Sequence, residues 1–197
     1  VFEAQAREGR WQRRAPRRRR EWPVGVLGVG ILGGRVASAL TSFEFEVNAY
    51  SHSPKAIPGV RSFHGPDGLA PFLQASRHLI CLLPLTPQTR GILCRENLAL
   101  LQRGGLLINL ARGAHLVDED LVALLDEGHL DGALLDVFHE EPLPSGHAFW
   151  SHPRVRVLPH IAAQTLRDES LEQISRKIRA FHQGQPVRGR VLPERGY

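Results

Sequence analysis

The chain has 197 residues, 42% of them hydrophobic, and a formal net charge of +5 at pH 7. Such a length and apolar content are sufficient for one domain with a sizeable core. No apolar run is long enough to span a membrane and no secretory signal pattern follows the amino terminus, so we expect a cytoplasmic protein without a membrane partner. Cys81 and Cys94 lie in or beside apolar segments, which favours neither a disulfide framework nor a metal site.

Much of the positive charge lies near the amino terminus, where residues 11–20 read WQRRAPRRRR. The run from Arg13 to Arg20 could bind nucleic acid, but no nucleic-acid-binding module surrounds it. Arginine is also preferred along the whole chain, since Lys55 and Lys177 are its lysines. We therefore interpret residues 1–22 as a linker helix and a solvated basic arm, and we expect no nucleic-acid partner.

Residues 24–36, VGVLGVGILGGRV, combine an apolar strand, a glycine-rich turn and the start of an amphipathic helix. In this pattern Gly28 permits the sharp turn, Gly30 lets backbone N–H groups approach a pyrophosphate, and Gly33 lets the helix pack against the strand. The positive end of the helix would face the anion. Glycine turns also occur by accident, but the flanking strand and helix favour a dinucleotide-binding site.

The residues that follow the second predicted strand, residues 45–50, indicate which dinucleotide is bound. NAD-specific sites carry an acid at this place for the ribose 2′-hydroxyl, and no carboxylate is present here. The chain has instead a polar set that would suit a 2′-phosphate: Ser51, His52, Ser53 and Lys55. A polar turn broken by Pro54 is the alternative. The sequence predicts a preference for NADPH, with NAD(H) as the alternative, and the preference should grow at low pH, where His52 is charged.

Apolar and amphipathic segments alternate along the rest of the chain. The alternation predicts an α/β fold with a doubly wound parallel sheet of the Rossmann type and helices on both faces. Further strands are predicted at 78–83, 106–111, 132–137 and 155–158, and helices at 96–102, 118–127 and 167–182. Asp118 is interpreted as the cap of its helix and Gly128 as its end. Residues 23–164 would form the dinucleotide-binding domain, and residues 165–197 a C-terminal helix and tail.

Polar residues follow several of these strands, at the edge where open parallel sheets bind ligands. They are Pro84, Arg112, Asp136 and His160. Taken singly, each fits a turn, a helix cap or an ordinary surface residue. Together they place a cation, an acid and a titratable ring beside the expected dinucleotide, which indicates a nicotinamide-dependent oxidoreductase.

Several separated blocks of the chain also occur in an order that is typical of one protein family. They are residues 84–89 (PLTPQT), 109–113 (NLARG), 117–118 (VD), 135–144 (LDVFHEEPLP), 159–163 (PHIAA) and 195–197 (RGY). The set resembles the D-2-hydroxyacid dehydrogenases, and within them the glyoxylate/hydroxypyruvate reductase A branch. The resemblance covers nearly the whole chain from about residue 25.

The resemblance implies that Arg112, Glu141 and His160 are catalytic. His160 as imidazolium would be the general acid, Glu141 would orient that ring and favour its charged form, and Arg112 would hold the substrate carboxylate and polarise the carbonyl. The neighbouring Glu140 is assigned to solvent, because the family pattern places the acid immediately before the proline. General acid–base help is worth about 10² to 10⁴ in rate.

The resemblance also implies contacts with the cofactor. Leu32 and Gly33 would meet the pyrophosphate, and Asp136 the nicotinamide carboxamide. The remaining implied contacts are Leu83, Pro84, Leu85 and Thr89 on the ribose side, and, at the nicotinamide end, His160 and the backbone groups of Leu110, Ala111 and Arg112. His52 stands where related NADPH-using members carry an arginine, so the preference for NADPH is expected to be moderate.

Members of this family begin with a substrate-binding domain that this chain lacks, so we interpret the chain as a fragment or a truncated product. Residues 165–197 would return to that domain. We expect measurable NADPH binding and little turnover by these residues alone.

The expected reaction is reduction of a small 2-oxoacid, glyoxylate or hydroxypyruvate, by a homodimer. The alternatives are a phosphoglycerate or D-lactate type of dehydrogenase, a nucleotide-sensing module like the corepressor relatives of the family, and a basic interaction protein.

Overall fold

The structure is a computed structural model that describes residues 2–13, 18–187 and 189. Half of the run from Arg13 to Arg20, residues 14–17, and the RGY block at 195–197 lie outside the described residues.

The elements follow the predicted alternation of strands and helices. The strands are β1 (Val24–Leu27), β2 (Val47–Ser51), β3 (Val60–His64), β4 (His78–Cys81), β5 (Gly105–Asn109), β6 (Leu130–Leu135) and β7 (Val155–Val157). The helices are α1 (Phe2–Arg7), α2 (Ile31–Ser42), α3 (Leu69–Ala75), α4 (Arg95–Leu98), α5 (Asp118–Asp126), α6 (Ala148–Ser151) and α7 (Arg167–His182).

The strands form one seven-stranded sheet in the order β3-β2-β1-β4-β5-β6-β7. Every neighbouring pair is parallel, which confirms the doubly wound sheet that the alternation predicts. The strand order reverses at β1, whose neighbours are β2 and β4. In such sheets the crevice outside the carboxyl ends of the strands, at this reversal, is where ligands bind.

Apolar side chains from both faces of the sheet form the core. All the residues of β1 are buried, as expected of a central parallel strand covered on both faces. One cluster includes Leu27, Phe72 and Leu107, and a smaller one lies around Val26 and Ala37 beneath α2. The short β1 therefore sends side chains into both clusters.

The structure differs from the prediction mainly at one edge of the sheet, where β3 and α3 are additional elements. β3 is an edge strand with exposed residues on both faces, so it lacks the apolar run that identifies a buried strand. The α4 helix covers Arg95–Leu98 and is shorter than predicted.

Asp118 is the first residue of α5, and Val117 is the N-cap, so the interpretation of Asp118 as the cap is corrected. Its carboxylate instead lies 3.6 Å from His139 Nε2 and 3.4 Å from His147 Nε2. The end of the helix agrees with the prediction, since Gly128 follows it with a φ of 68°.

The final helix, α7, has the predicted bounds of residues 167–182 but buries none of its residues. Leu171, Ile174 and Ile178 are each 53% exposed along one side of it. In the described ranges, no helix combines the length and apolar character needed to cross a bilayer.

Candidate active site at the carboxyl end of the sheet

The glycine-rich turn has the geometry that its sequence predicts. Gly28 has a φ of +100°, and a side-chain carbon there would lie 2.9 Å from the backbone of Leu82 and Leu83. A Cβ on Gly33 would lie 1.9 Å from the carbonyl oxygen of Gly28, so only glycine allows α2 to pack this close. A Cβ on Gly30 would meet no other atom within 4 Å.

This turn fits a pyrophosphate. Gly30 is the N-cap of α2, and no side chain caps the helix end by a hydrogen bond. Backbone N–H groups at such an end point outward and carry the positive end of the helix dipole. Leu32 is 52% exposed beside the turn. The contact of Leu32 and Gly33 with a pyrophosphate remains a prediction that this cradle supports.

The loop after β2 divides the predicted phosphate ligands into two groups. Ser51 is 9% exposed, and its hydroxyl donates a hydrogen bond of 2.7 Å to the carbonyl oxygen of Ser53. His52, Ser53 and Lys55 are exposed. The Ser51 hydroxyl therefore donates its proton within the loop. His52, Ser53 and Lys55 are the residues that can donate to a phosphate.

Thr89 holds the loop that follows β4. Its hydroxyl donates to the carbonyl oxygen of Pro84 at 2.7 Å and accepts from the backbone N–H of Thr86 at 2.8 Å. Leu83, Pro84 and Leu85 are half-buried along this loop. The threonine closes the turn that presents these residues at the carboxyl edge.

Asn109, at the end of β5, anchors the loop that carries Arg112. Its side chain is 0% exposed; Nδ2 donates to the carbonyl oxygen of Arg112 at 3.1 Å, and Oδ1 accepts from the N–H of Ala111 at 3.2 Å. The Arg112 side chain is exposed, and its Nη1 donates to the carbonyl oxygen of Ala111 at 2.6 Å. Leu110, Ala111 and Arg112 thus form a short rigid loop that presents a guanidinium at the sheet edge.

Gly113 brings this loop against the one after β6. A Cβ at Gly113 would lie 1.9 Å from the carbonyl carbon of Phe138, which shows that the two backbones are in direct contact. Because Phe138 precedes Glu141 by a short turn, the glycine brings the cation and the acid together.

Asp136 fixes the segment that carries His160. It is 1% exposed, and its carboxylate accepts the N–H of Ile161 at 2.8 Å and the N–H of Ala162 at 3.0 Å. His160 itself has a φ of 53°, in the left-handed region. The contact of Asp136 with a nicotinamide remains a prediction, and its observed partners are these backbone groups.

Glu141 and His160 form a close pair. The carboxylate Oε2 lies 2.7 Å from His160 Nδ1, and Oε1 accepts the N–H of Phe138 at 2.9 Å. Partial burial raises the pKa of Glu141, but the hydrogen bonds from His160 and Phe138 and the positive charges of His160 and Arg112 outweigh it and hold that pKa below its usual value. The neighbouring Glu140 is exposed.

The structure therefore gathers a guanidinium, a carboxylate and an imidazole from three loops. Within the described ranges, no cluster of three or more His, Cys, Asp or Glu side chains is arranged to hold a metal ion. The arrangement can bind an anionic substrate through Arg112 and donate a proton through His160.

Sequence reasoning did not single out Asn109 or His115. The His115 ring is 0% exposed, with Nδ1 3.1 Å from the carbonyl oxygen of Arg112 and Nε2 3.3 Å from that of Pro84. Nothing in the sequence distinguishes His115 from the other histidines except its nearness to Arg112. Asn109 could have been identified by its position, because it is a polar residue at the carboxyl end of an apolar strand.

Residues 1–162 match the family model of the D-isomer specific 2-hydroxyacid dehydrogenase, NAD binding domain. The chain belongs to this family. This confirms the resemblance that the sequence blocks carry.

Individual relatives agree with this assignment. The chain is 47% identical over 196 residues to glyoxylate/hydroxypyruvate reductase A of Photorhabdus laumondii, covering 100% of this chain and 63% of the relative. A second such reductase, from Yersinia enterocolitica, is 45% identical over 196 residues, with 100% and 63% covered. The chain thus spans less than two thirds of the length of these relatives.

Solved structures of related proteins include nucleotide complexes. A D-isomer specific 2-hydroxyacid dehydrogenase from Xanthobacter autotrophicus, in complex with NADPH and MES, has a TM-score of 0.96 and 44% identity, covering 100% of this chain and 81% of that one. The NADPH-dependent glyoxylate/hydroxypyruvate reductase of Sinorhizobium meliloti, in complex with NADP and sulfate, has a TM-score of 0.95 and 36% identity, covering 100% and 63%.

Proposed function

We propose that this chain binds NADPH and reduces a small 2-oxoacid, glyoxylate or hydroxypyruvate, to the 2-hydroxyacid. The observation that carries the proposal is the 2.7 Å contact between Glu141 and His160, formed near the charge of Arg112. The NADP complexes of related proteins and the fit of the glycine turn to a pyrophosphate support the choice of cofactor.

His160 acts as the general acid in this proposal. Its Nδ1 is engaged by the Glu141 carboxylate, so Nε2 is the atom that gives its proton to the carbonyl oxygen of the substrate. Glu141 holds the ring in this orientation and stabilises its charged form. Bound NADPH supplies the hydride for the carbonyl carbon, and the products are the 2-hydroxyacid and NADP⁺.

Arg112 binds the substrate in this proposal. Its guanidinium can hold a carboxylate through paired N–H donors and stabilise the negative charge that develops on the carbonyl oxygen. Gly113 and Asn109 fix the backbone from which this side chain extends. Asp136 does the same for His160, so both groups are held in place before the substrate arrives.

The test is a single-turnover measurement with the NADPH-saturated chain and excess glyoxylate, hydroxypyruvate or pyruvate. We expect wild-type protein to oxidise the bound nucleotide slowly, in a single turnover, because little steady turnover is expected of these residues alone. The Arg112→Ala variant should be slower by at least about 10²-fold, and Arg112→Lys should recover part of the loss. NADPH affinity should be similar in all three proteins. A chain that binds NADPH and oxidises none of it, even in one slow turnover with every substrate, would contradict the proposal and favour the nucleotide-sensing alternative.

The preference for NADPH is assigned to the exposed residues His52, Ser53 and Lys55. Replacing Lys55 by alanine should weaken NADPH binding about tenfold and leave NADH binding unchanged, because NADH lacks the 2′-phosphate. Arg61→Ala is the matched control, since that guanidinium lies 4.8 Å from the Phe63 ring centroid on the edge strand. A ratio of NADPH to NADH affinity that is independent of pH would contradict the part assigned to His52.

The proposal also covers the assembly of the protein. In this proposal, two copies of the nucleotide-binding domain form a homodimer, and α7 and the tail pack against a substrate domain. The exposed apolar side of α7 supports the second assignment. Sedimentation equilibrium tests the first, and a single monomeric mass over the whole concentration range would contradict it.

A further inference from the structure

A buried histidine, His115, connects two of the loops that surround the proposed catalytic groups. It ends a short turn, Gly113–His115, and none of its surface is exposed. One ring nitrogen faces the carbonyl oxygen of Arg112 at 3.1 Å, and the other faces that of Pro84 at 3.3 Å. The ring therefore joins the loop after β5 to the loop after β4.

The carbonyl oxygen of Arg112 is the point at which its loop is held. Besides the His115 ring, it accepts from Asn109 Nδ2 at 3.1 Å and from the backbone N–H of His115 at 3.2 Å. The Arg112 side chain is exposed, so its direction depends on the backbone from which it extends. Moving this carbonyl would therefore move the guanidinium.

Both ring nitrogens of His115 face acceptors, and a neutral imidazole has a single N–H to donate. Burial lowers the pKa of His115, and the charges of Arg112 and Arg90 add to this effect, while the carbonyl oxygens of Pro84 and Arg112 oppose it. The ring is therefore neutral at pH 7. The contact of Nδ1 with the Arg112 carbonyl oxygen is the shorter of the two, 3.1 Å against 3.3 Å for Nε2 and Pro84, so we place the proton on Nδ1, towards Arg112.

We propose that His115 is a positioning residue for substrate binding, whose Nδ1–H holds the Arg112 carbonyl and so directs the guanidinium towards the substrate carboxylate. The proposal rests on the proposed function, because the position of the guanidinium matters only if Arg112 receives that carboxylate. The ring also fills the space between the two loops, so a variant must separate volume from hydrogen bonding.

Replacing His115 by three different side chains makes this separation. Asparagine places an amide nitrogen near the position of Nδ1, glutamine places one near Nε2, and phenylalanine keeps the ring without either donor. The probe is oxamate, an unreactive analogue of a 2-oxoacid, titrated into the NADPH-loaded chain and followed by the fluorescence of the nucleotide. NADPH affinity and thermal unfolding are measured for each variant.

We expect His115→Phe to weaken oxamate binding by about tenfold and His115→Asn to stay within about threefold of wild type. NADPH affinity should change by less than about threefold throughout. His78→Phe is the matched control for the loss of a partly buried histidine far from the site, and it should leave oxamate affinity unchanged. A folded His115→Phe protein with wild-type oxamate affinity would overturn the proposal. Rescue by glutamine but not by asparagine would also overturn it, because the Pro84 contact would then be responsible.

A second measurement needs no ligand. In protein labelled with ¹⁵N-histidine, the nitrogen shifts of His115 at pH 7 should show a protonated Nδ1 and an unprotonated Nε2. The opposite tautomer would overturn the proposal whether or not NADPH binds. A wild-type chain with the expected tautomer that binds no oxamate would overturn the proposed function and leave the hydrogen bond to Arg112 intact.

Discussion

The two ends of the parallel sheet hold histidines in opposite settings. At the amino end, the ring of His78 lies 4.6 Å from the ring of Trp22, and its Nδ1 accepts the N–H of Leu106 at 3.0 Å. Burial and the nearby charge of Arg77 lower the pKa of His78 to about 4. At the carboxyl end, His160 is exposed and has a carboxylate partner in Glu141.

The difference follows from where the loops converge. At the carboxyl end, the loops after β5, β6 and β7 meet through Gly113, Asp136 and the pair of Glu141 and His160, and they present polar groups at an open edge. At the amino end, the same kind of side chain is packed between an indole and a strand. A histidine there contributes to stability as a neutral ring, whereas His160 lies at the edge where sheets of this kind bind ligands.

The largest expected effect is that of replacing His160 by glutamine. The single-turnover rate of NADPH oxidation should fall by about 10² to 10⁴, because the proton donor is lost. The free energy of unfolding should change by less than about 0.5 kcal/mol, because the side chain is exposed. Stopped-flow absorbance and urea unfolding measure the two quantities. A His160→Gln variant that keeps its rate of NADPH oxidation but loses stability would show that His160, like His78, serves the fold and not the reaction.

Asp136 is a structural test of the carboxyl end. Asp136→Ala removes the acceptor of the N–H groups of Ile161 and Ala162, so the free energy of unfolding should fall by about 1 to 3 kcal/mol. Single-turnover reduction should also slow, since the segment with His160 is released. Asp136→Asn, which keeps one oxygen acceptor, should lie between wild type and alanine in urea unfolding. Equal stability of the alanine variant would contradict the role of these hydrogen bonds.

The amino end is tested by pH. His78 is neutral in the folded protein down to a pKa of about 4, whereas an unfolded chain takes up the proton near 6.5. The stability that it contributes is therefore present above 6.5 and is lost as the pH falls towards 4. The loss should be about 2 kcal/mol after allowing for screening by solvent.

The matched variant for this pH effect is His78→Asn, which retains an acceptor for Leu106 but does not titrate. On acidification, the free energy of unfolding should fall more in the wild-type protein than in this variant. Urea unfolding at a series of pH values measures the shift. A difference that stays constant with pH would disprove the linkage.

The smallest effect is expected in α7, which belongs to neither end. Ile174 is 53% exposed, so Ile174→Ser should change the free energy of unfolding by less than about 0.5 kcal/mol. Leu107→Ala in the core is the contrasting variant and should cost about 2 to 5 kcal/mol. A large loss of stability in Ile174→Ser would show that this face is covered.

Much of the fold could be predicted because its signals are local. The apolar run before Gly28 and the spacing to Gly33 predict a strand, a turn and a helix that the structure contains. The bounds of α7 were also predicted, since an amphipathic period needs no partner to be recognised. β3 was missed, because an exposed edge strand carries neither a continuous apolar run nor strict alternation.

The sequence predicted which residues would lie together at the carboxyl end of the sheet, but it did not predict their contacts. The sequence blocks name Arg112, Glu141 and His160, and the structure places them on neighbouring loops at one edge of the sheet. Three hydrogen bonds were not predicted. They join Ser51 to the carbonyl oxygen of Ser53, Asp136 to the N–H of Ile161, and His115 to the carbonyl oxygen of Pro84. Each depends on the direction of a side chain within a folded loop.

The sequence by itself determined the alternation of strands and helices, the glycine turn and the family. It could do so because these features depend on residues that are neighbours along the chain. The tertiary structure decided which backbone groups Asp136 binds and which loops His115 joins, since these contacts connect residues that only the sheet brings together. Hydrogen bonds of this kind depend on distances of a few tenths of an ångström, which no periodicity in the sequence encodes.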